Sequence, residues 1–174
     1  MKEAHEEIFP LVDAEGNVTG HETRSNCHNG SMLLHPVVHL HVFNNEGELY
    51  LQKRADSKEI FPGLWDSSVG GHIAYGESPA EAVVREAYEE LGLQEISPVF
   101  ILKYIIETDL ERELTYCYYI KTDKHPIPNA DELADGRFWK MDEIRRCTDK
   151  GIFTPNFEKD FHTFLDNQKF RSTP

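Results

Sequence analysis

Three glutamates, Glu86, Glu89 and Glu90, stand at i, i+3 and i+4 in the chain. On a helix this spacing sets their side chains along one edge, at about 100° per residue. A helix built only for stability alternates the signs of its charges at such spacings, so the crowding points to a divalent cation between the carboxylates. Alone, the triplet also fits a solvated face of a residue type that favours helices. A second group, Lys53, Arg54 and Lys58, concentrates positive charge in an otherwise acidic chain and suits the clamping of phosphate oxygens, or a solvated charged loop. The chemistry within reach of these groups is metal-assisted: neutralising an anionic substrate and activating a water.

The element that must position the glutamates is well signalled. Ser78-Pro79-Ala80-Glu81 reads as a capping box with proline at the first helical position, and Gly92 stands where a helix stops. A helix over 79–91 follows, with Ala80, Val83, Val84, Ala87 and Leu91 as its apolar stripe. Strands dominate the first third: 8–12 and 18–24 form a hairpin around the turn at 13–17, and 37–43 and 48–53 form another around Asn44 to Gly47. Further strands are predicted over 96–108, 114–121 and 137–141, and helices over 142–148 and 156–166. The expected class is α+β or α/β, one domain over 1–174 with its core between about 8 and 168.

With 174 residues and a formal net charge of −13, the chain repels nucleic-acid backbones, and nucleic acid is not an expected partner. The same charge repels a phosphorylated substrate, so binding one requires a local reversal of sign, which a cation held by carboxylates supplies. No run approaches a membrane span, the start MKEAHEEIFP lacks a signal-peptide core, and no membrane partner is expected. Cys27, Cys117 and Cys147 are odd in number and unpaired in spacing, which predicts reduced thiols and a cytoplasmic chain.

Read from Gly71, the chain gives five residues, Glu77, seven residues, then Arg85-Glu86-Ala87-Tyr88-Glu89-Glu90-Leu91-Gly92-Leu93. This resembles the Nudix box, GX5EX7REUXEEXGU with U aliphatic, at every fixed position. The resemblance implies a Nudix fold, a mixed β-sheet sandwiched between helices, with an N-terminal β-hairpin here. It implies Mg2+ (or Mn2+) held by Glu86, Glu89, Glu90 and the Gly71 backbone, and Glu77, Arg85 and Gly92 in structural roles. The family places its base either on the box helix or on a later loop; Glu86 and Glu132 are the matching candidates. The implied substrate is a small-molecule diphosphate, and a homodimer is left open.

Over about residues 8–157 the chain further resembles the isopentenyl-diphosphate isomerases and their related hydrolases, in Cys27-His28, Leu34-His35, Leu51-Gln52-Lys53-Arg54, Phe61-Pro62-Gly63-Leu64-Trp65, Gly71-His72 and Phe153-Thr154-Pro155. That branch implies a second metal site at His28, His35, His72, Glu111 and Glu113, and phosphate contacts from Arg54 and Lys58. His39 and His41 lie nearby, so a hydrogen-bonded His-rich surface without metal is the competing reading. Phe61 and Trp65 fit either a pocket wall or the core. Two positions depart from the isomerases: Gly70 stands where they carry a proton-transferring cysteine, and Asn156 where they carry a tryptophan. With the box complete, the expectation is hydrolysis at phosphorus, with isomerisation as the alternative and a non-catalytic sensor behind it.

Overall fold

The computed structural model describes residues 6–58 and 60–167; the expected end of the core at 168 lies outside them. Strands β1 (Ile8–Val12) and β2 (Val18–Thr23) form the expected antiparallel hairpin, with the turn closed by Asn17 donating from its backbone to Asp13 Oδ1 at 2.8 Å. A short helical turn, α1 (Arg24–Cys27), follows; its four residues lie below the length at which helical periodicity shows in a sequence.

The main sheet is mixed. Strand β3 (Leu34–Phe43) runs parallel to β8 (Arg112–Lys121) from Leu34↔Arg112 to Phe43↔Lys121, and β7 (Val99–Glu107) adds antiparallel to β8. On its other side β3 meets β4 (Leu49–Arg54) at one registered pair, Phe43↔Leu49, and the hairpin then splays. Two short strands use that divergence. β5 (Trp65–Asp66) stays on β4, whereas β6 (Val69–His72) pairs with β3 from Leu40↔Val69 to Val37↔His72. β9 (Leu133–Trp139) covers the far edge of β4. The sequence expectation for 137–141 therefore starts four residues late, because the polar stretch Ala134 to Gly136 masks the strand.

Helix α2 (Pro79–Leu91) forms as predicted. The Ser78 hydroxyl accepts from the Glu81 backbone, the Glu81 carboxylate accepts from the Ser78 backbone at 2.9 Å, and Gly92 closes the helix at φ 64°. Its buried stripe differs from the expected one: Ala82, Val83, Ala87, Glu90 and Leu91 are buried, while Val84 is 39% exposed and Ala80 lies outside. The stripe is rotated towards the carboxylate edge, so Glu90 belongs to the packed face. α2 packs on Val38, Leu40 and Val42 of β3. The opposite face of the sheet, with Phe43, Leu49, Leu51 and Cys117, is covered by α3 (Met141–Cys147), α4 (Pro155–Asp160) and a π-helical segment (Phe161–Leu165). The expected helix over 156–166 is thus an α-helix that widens in its second half, with Thr154 as its N-cap.

Candidate active site

The splay between β3 and β4 opens a cavity of about 1030 Å3 whose wall includes Gly70, Gly71, Glu86, Glu89, Glu90 and Glu132. All four expected acids therefore face one space. Glu132 sits immediately before β9, where Lys58 Nζ stands 4.0 Å from its Oε2.

Gly71 is held by space rather than by backbone torsion. It has no positive φ, but a Cβ there would overlap the Glu86 carboxyl. Glu90 is 6% exposed and its Oε2 accepts from Gly70 N at 3.4 Å. Burial, reinforced by Glu86 and Glu132, holds the Glu90 carboxyl well above the usual carboxylate range. Burial likewise lifts Glu86 to about 6 against the pull of Arg85. Carboxylates raised by burial and by one another gain from a cation placed among them, so the acids fit a divalent metal.

Arg85 ties the loop to the helix as expected: its Nε and Nη2 donate to the two Glu77 oxygens at 2.8 and 2.9 Å, and Nη2 also to His72 O at 3.0 Å. Its Nη1 reaches Glu86 at 2.8 Å and Glu89 at 3.1 Å as well. The crowded edge is therefore partly compensated from within the helix, which the sequence reading of uncompensated charge did not include.

The same cavity is lined by a second group, to which His28, His72, Glu111 and Glu113 contribute. The ligand atoms of His28, His35 and His72 all lie within 4.8 Å of one another, as do those of His35, Glu111 and Glu113. His28 Nε2 is 3.0 Å from His72 Nε2, and His28 Nδ1 is 3.3 Å from Glu111 Oε2. Burial holds all three imidazoles below their usual range, His28 at about 4, so each is neutral and offers a lone pair. Burial, with the Glu111 charge beside it, pushes Glu113 up to about 8. His35 Nε2 and Glu111 Oε2 are buried with no hydrogen-bond partner among the described residues. Five converging residues, with a ligand atom of His35 and one of Glu111 left orphaned, fit a metal ion better than a self-satisfied network. Phe9, delivered by β1, stacks on His72 at 4.3 Å with the rings 2° from parallel. Nothing in the sequence singled Phe9 out beyond its place in an apolar strand.

His39 and His41 do not form a surface. Both are buried, facing α4, where Asp160 Oδ2 lies 2.7 Å from His39 Nδ1 and 3.2 Å from His41 Nε2. Tyr104 donates to Asp160 Oδ1, and Cys117 Sγ lies 3.7 Å from the same oxygen. The 2.7 Å contact between His39 and Asp160 is a charge-assisted hydrogen bond. Sequence reasoning missed Asp160 because its partner is 121 positions away. Arg54 lines the cavity but is partly committed, with Nη1 3.3 Å from Asp66 and Nε donating to Ile60 O at 3.0 Å. Of the two aromatic candidates, Phe61 lines the cavity, while Trp65 packs edge-on against Trp139 in the core.

Among the described residues no helix is long and apolar enough to cross a membrane. Comparison with known proteins adds three likenesses. An isopentenyl-diphosphate Delta-isomerase of Pectobacterium atrosepticum is 34% identical over 149 residues, 83% of this chain and 81% of that protein. The crystal structure of DR0079 from Deinococcus radiodurans superposes with a TM-score of 0.75 at 25% identity, over 90% of this chain and 98% of that one. A MutT protein from Methanosarcina mazei shares the fold with a TM-score of 0.68 at 20% identity, over 78% and 96% of the two chains. Residues 33–161 match the NUDIX domain, spanning the split sheet, the box acids and every residue of the second cluster except His28, and the chain belongs to the Nudix family.

Proposed function

We propose that this enzyme is a divalent-metal-dependent hydrolase that cleaves the diphosphate linkage of a nucleoside diphosphate derivative, or a related organic diphosphate, by attack of water at phosphorus. The observation that carries the reading is the convergence of Glu86, Glu89, Glu90 and Glu132 on one cavity that also holds Arg54 and Lys58. Glu86, Glu89, Glu90 and the Gly71 backbone would hold Mg2+ or Mn2+, which when bound neutralises the diphosphate and lowers the pKa of a water. Arg54 and Lys58 bind the distal phosphate, and Glu86 or Glu132 takes the proton of the attacking water. His28, His35, His72, Glu111 and Glu113 would hold a second cation of the imidazole-accepting kind, Mn2+ among them. The three free cysteines fit a single-domain protein of the cytoplasm.

Isomerisation is the second reading. It is favoured by the His and Glu cluster assembling as the isomerase resemblance implies. Gly70 opposes it, since it offers no side chain to carry a proton between carbons. Incubation with Mg2+ and a panel of diphosphates that includes isopentenyl diphosphate, with products identified by phosphorus NMR, tests the reading. The expected result is a cleaved phosphoanhydride with wild type and loss of cleavage in Glu89→Gln. Rearranged isopentenyl diphosphate with every phosphoanhydride intact would replace the hydrolase by the isomerase.

A further inference from the structure

His39 and Asp160 form a pair that the box acids, the His and Glu cluster and the Arg54 and Lys58 clamp leave unused. Both are buried, Asp160 completely, and Asp160 Oδ2 lies 2.7 Å from His39 Nδ1. The carboxylate is itself held from three further sides: Tyr104 on β7 donates to Oδ1, Ser67 Oγ donates to Oδ2 at 3.5 Å, and Cys117 Sγ on β8 lies 3.7 Å from Oδ1. His39 keeps 6% exposure and lines the cavity, so the side of its ring turned away from Asp160 meets that space. Beside it stands Gly70, its partner in the pairing of β3 with β6. Gly70 has no positive φ, and among the described residues a Cβ there would meet only His39 Cδ2, at 3.7 Å, an ordinary contact. Unlike Gly71, this position is therefore glycine for neither torsion nor packing. What the missing side chain leaves open is the Cδ2–Nε2 edge of the imidazole.

An imidazole whose Nδ1 is pinned by a buried carboxylate has a fixed orientation, and its Nε2 is left to act. Burial lowers the His39 pKa, but the charge and hydrogen bond of Asp160, with the charges of Asp66 and Glu113, outweigh it and raise it to about 9, so at neutral pH the ring is cationic and both nitrogens donate. An anionic oxygen entering the cavity offers that donor a charge-assisted hydrogen bond. Resting on the hydrolase reading, we infer that His39 is a further catalytic residue, whose Nε2–H donates to a phosphate oxygen of the substrate on which charge builds as the diphosphate linkage breaks. Asp160 acts through His39 and is a positioning residue. His39 keeps its proton throughout. The oxygen of water bonds to phosphorus, the bridging P–O bond breaks with its electron pair on the departing phosphate, and the proton of the water goes to Glu86 or Glu132. A donor aimed in advance by the fold and shielded from water stabilises such charge more than one that must reorient.

The test compares kcat and KM of wild type, His39→Gln, Asp160→Asn and the double variant, with Mg2+ and with ADP-ribose, NADH and isopentenyl diphosphate as substrates. Removing one preorganised donor costs about 10²- to 10³-fold, so His39→Gln is expected to lose that much in kcat with KM changed less than about threefold. Asp160→Asn should lose about tenfold or more, and the double variant no more than His39→Gln alone, because the carboxylate acts only through the ring. Losses that multiply in the double variant would overturn the positioning role of Asp160. Binding is read without turnover by proton NMR of the histidine N–H groups, with Mg2+ and the uncleavable methylenediphosphonate. The ring identified by the Nδ1–H held on Asp160 is expected to shift at Nε2–H as the probe binds. Thermal melts identify a variant that is merely unfolded, and the wild-type NMR titration then decides: binding of the probe with no shift at His39 would overturn the inference. A wild-type kcat in folded His39→Gln would end it too and leave the hydrolase standing. Failure of wild type to cleave any of the three substrates removes the hydrolase reading and this inference with it.

Discussion

Glu113 and His39 lie on the same face of neighbouring strands, and both hold protons more tightly in the fold than in the open chain. Burial and the Glu111 charge lift Glu113 to about 8; burial lowers His39, but the charge and hydrogen bond of Asp160 outweigh it and raise it to about 9. A group with a raised folded pKa stabilises below its unfolded value and loses that contribution as pH rises through the folded one. His28, His35 and His72 act in the other direction only below their usual value near 6.5, where the open chain takes protons that the fold refuses. Between pH 6.5 and 8 the two effects no longer oppose, so chelator-treated protein is expected to melt at lower temperature as pH rises through that window. Mn2+, if held by the Glu113 carboxylate as proposed, should reverse the trend and release protons on binding in calorimetry. A flat melting profile would remove Glu113 from the proposed metal site. The base is separable in the same way: Glu132→Gln is expected to lower kcat by about 10²- to 10⁴-fold with Mg2+ affinity nearly intact, whereas an unchanged rate assigns the role to Glu86. Gly71→Ala should act through Glu86, weakening Mg2+ binding at least about tenfold because the new methyl takes the place of that carboxyl.

At the scale of elements, α2 was the most legible part of the chain because its signals are local: a cap, a proline, a helical period and a terminal glycine. The box residues inherit that clarity, since their spacing is a helical spacing. What the sequence hid are relations between elements. The pairing of Phe43 with Leu49 alone, the departure of β6 to β3 and the arrival of Asp160 beneath His39 are set by tertiary packing, which no window of neighbouring residues encodes. The stripe of α2 was misplaced for the same reason: Glu90 is buried by the strand beside it, at the 70 position, and a hydrophobic count cannot foresee a buried acid. These roles can be separated by measurement. Ser78→Ala removes the cap and should cost about 1 kcal/mol of stability with kcat unchanged, because the cap lies two turns from the carboxylates. Leu91→Ala should cost about 2 to 5 kcal/mol, since Leu91 is 1% exposed and packs on the sheet. Loss of activity in Ser78→Ala without loss of stability would show that the helix start is mechanically coupled to the site.

For the whole molecule, the formal charge of −13 sets a problem that the cavity solves only locally. A diphosphate substrate, as proposed, would meet repulsion on approach at distances where Arg54, Lys58 and the cations of the proposed site are screened by the surrounding acids. Salt shortens the reach of these exposed charges to about 10 Å at 0.1 M, while the contacts inside the cavity, partly removed from water, are screened much less. The far field therefore opposes association and the near field favours it, so added salt weakens the opposing part more. With Mg2+ saturating, kcat/KM is expected to rise about two- to fivefold as NaCl goes from about 10 to 150 mM, the reverse of an enzyme that steers its substrate electrostatically. Neutralising exposed acids outside the cavity wall, as in a Glu15→Gln, Glu46→Gln, Glu95→Gln variant, should raise the low-salt rate and flatten the dependence, because these side chains contribute only to the far field. A kcat/KM that falls with salt in wild type would mean that the basic residues at the cavity mouth dominate the approach, and that the cavity projects positive potential beyond the acidic surface.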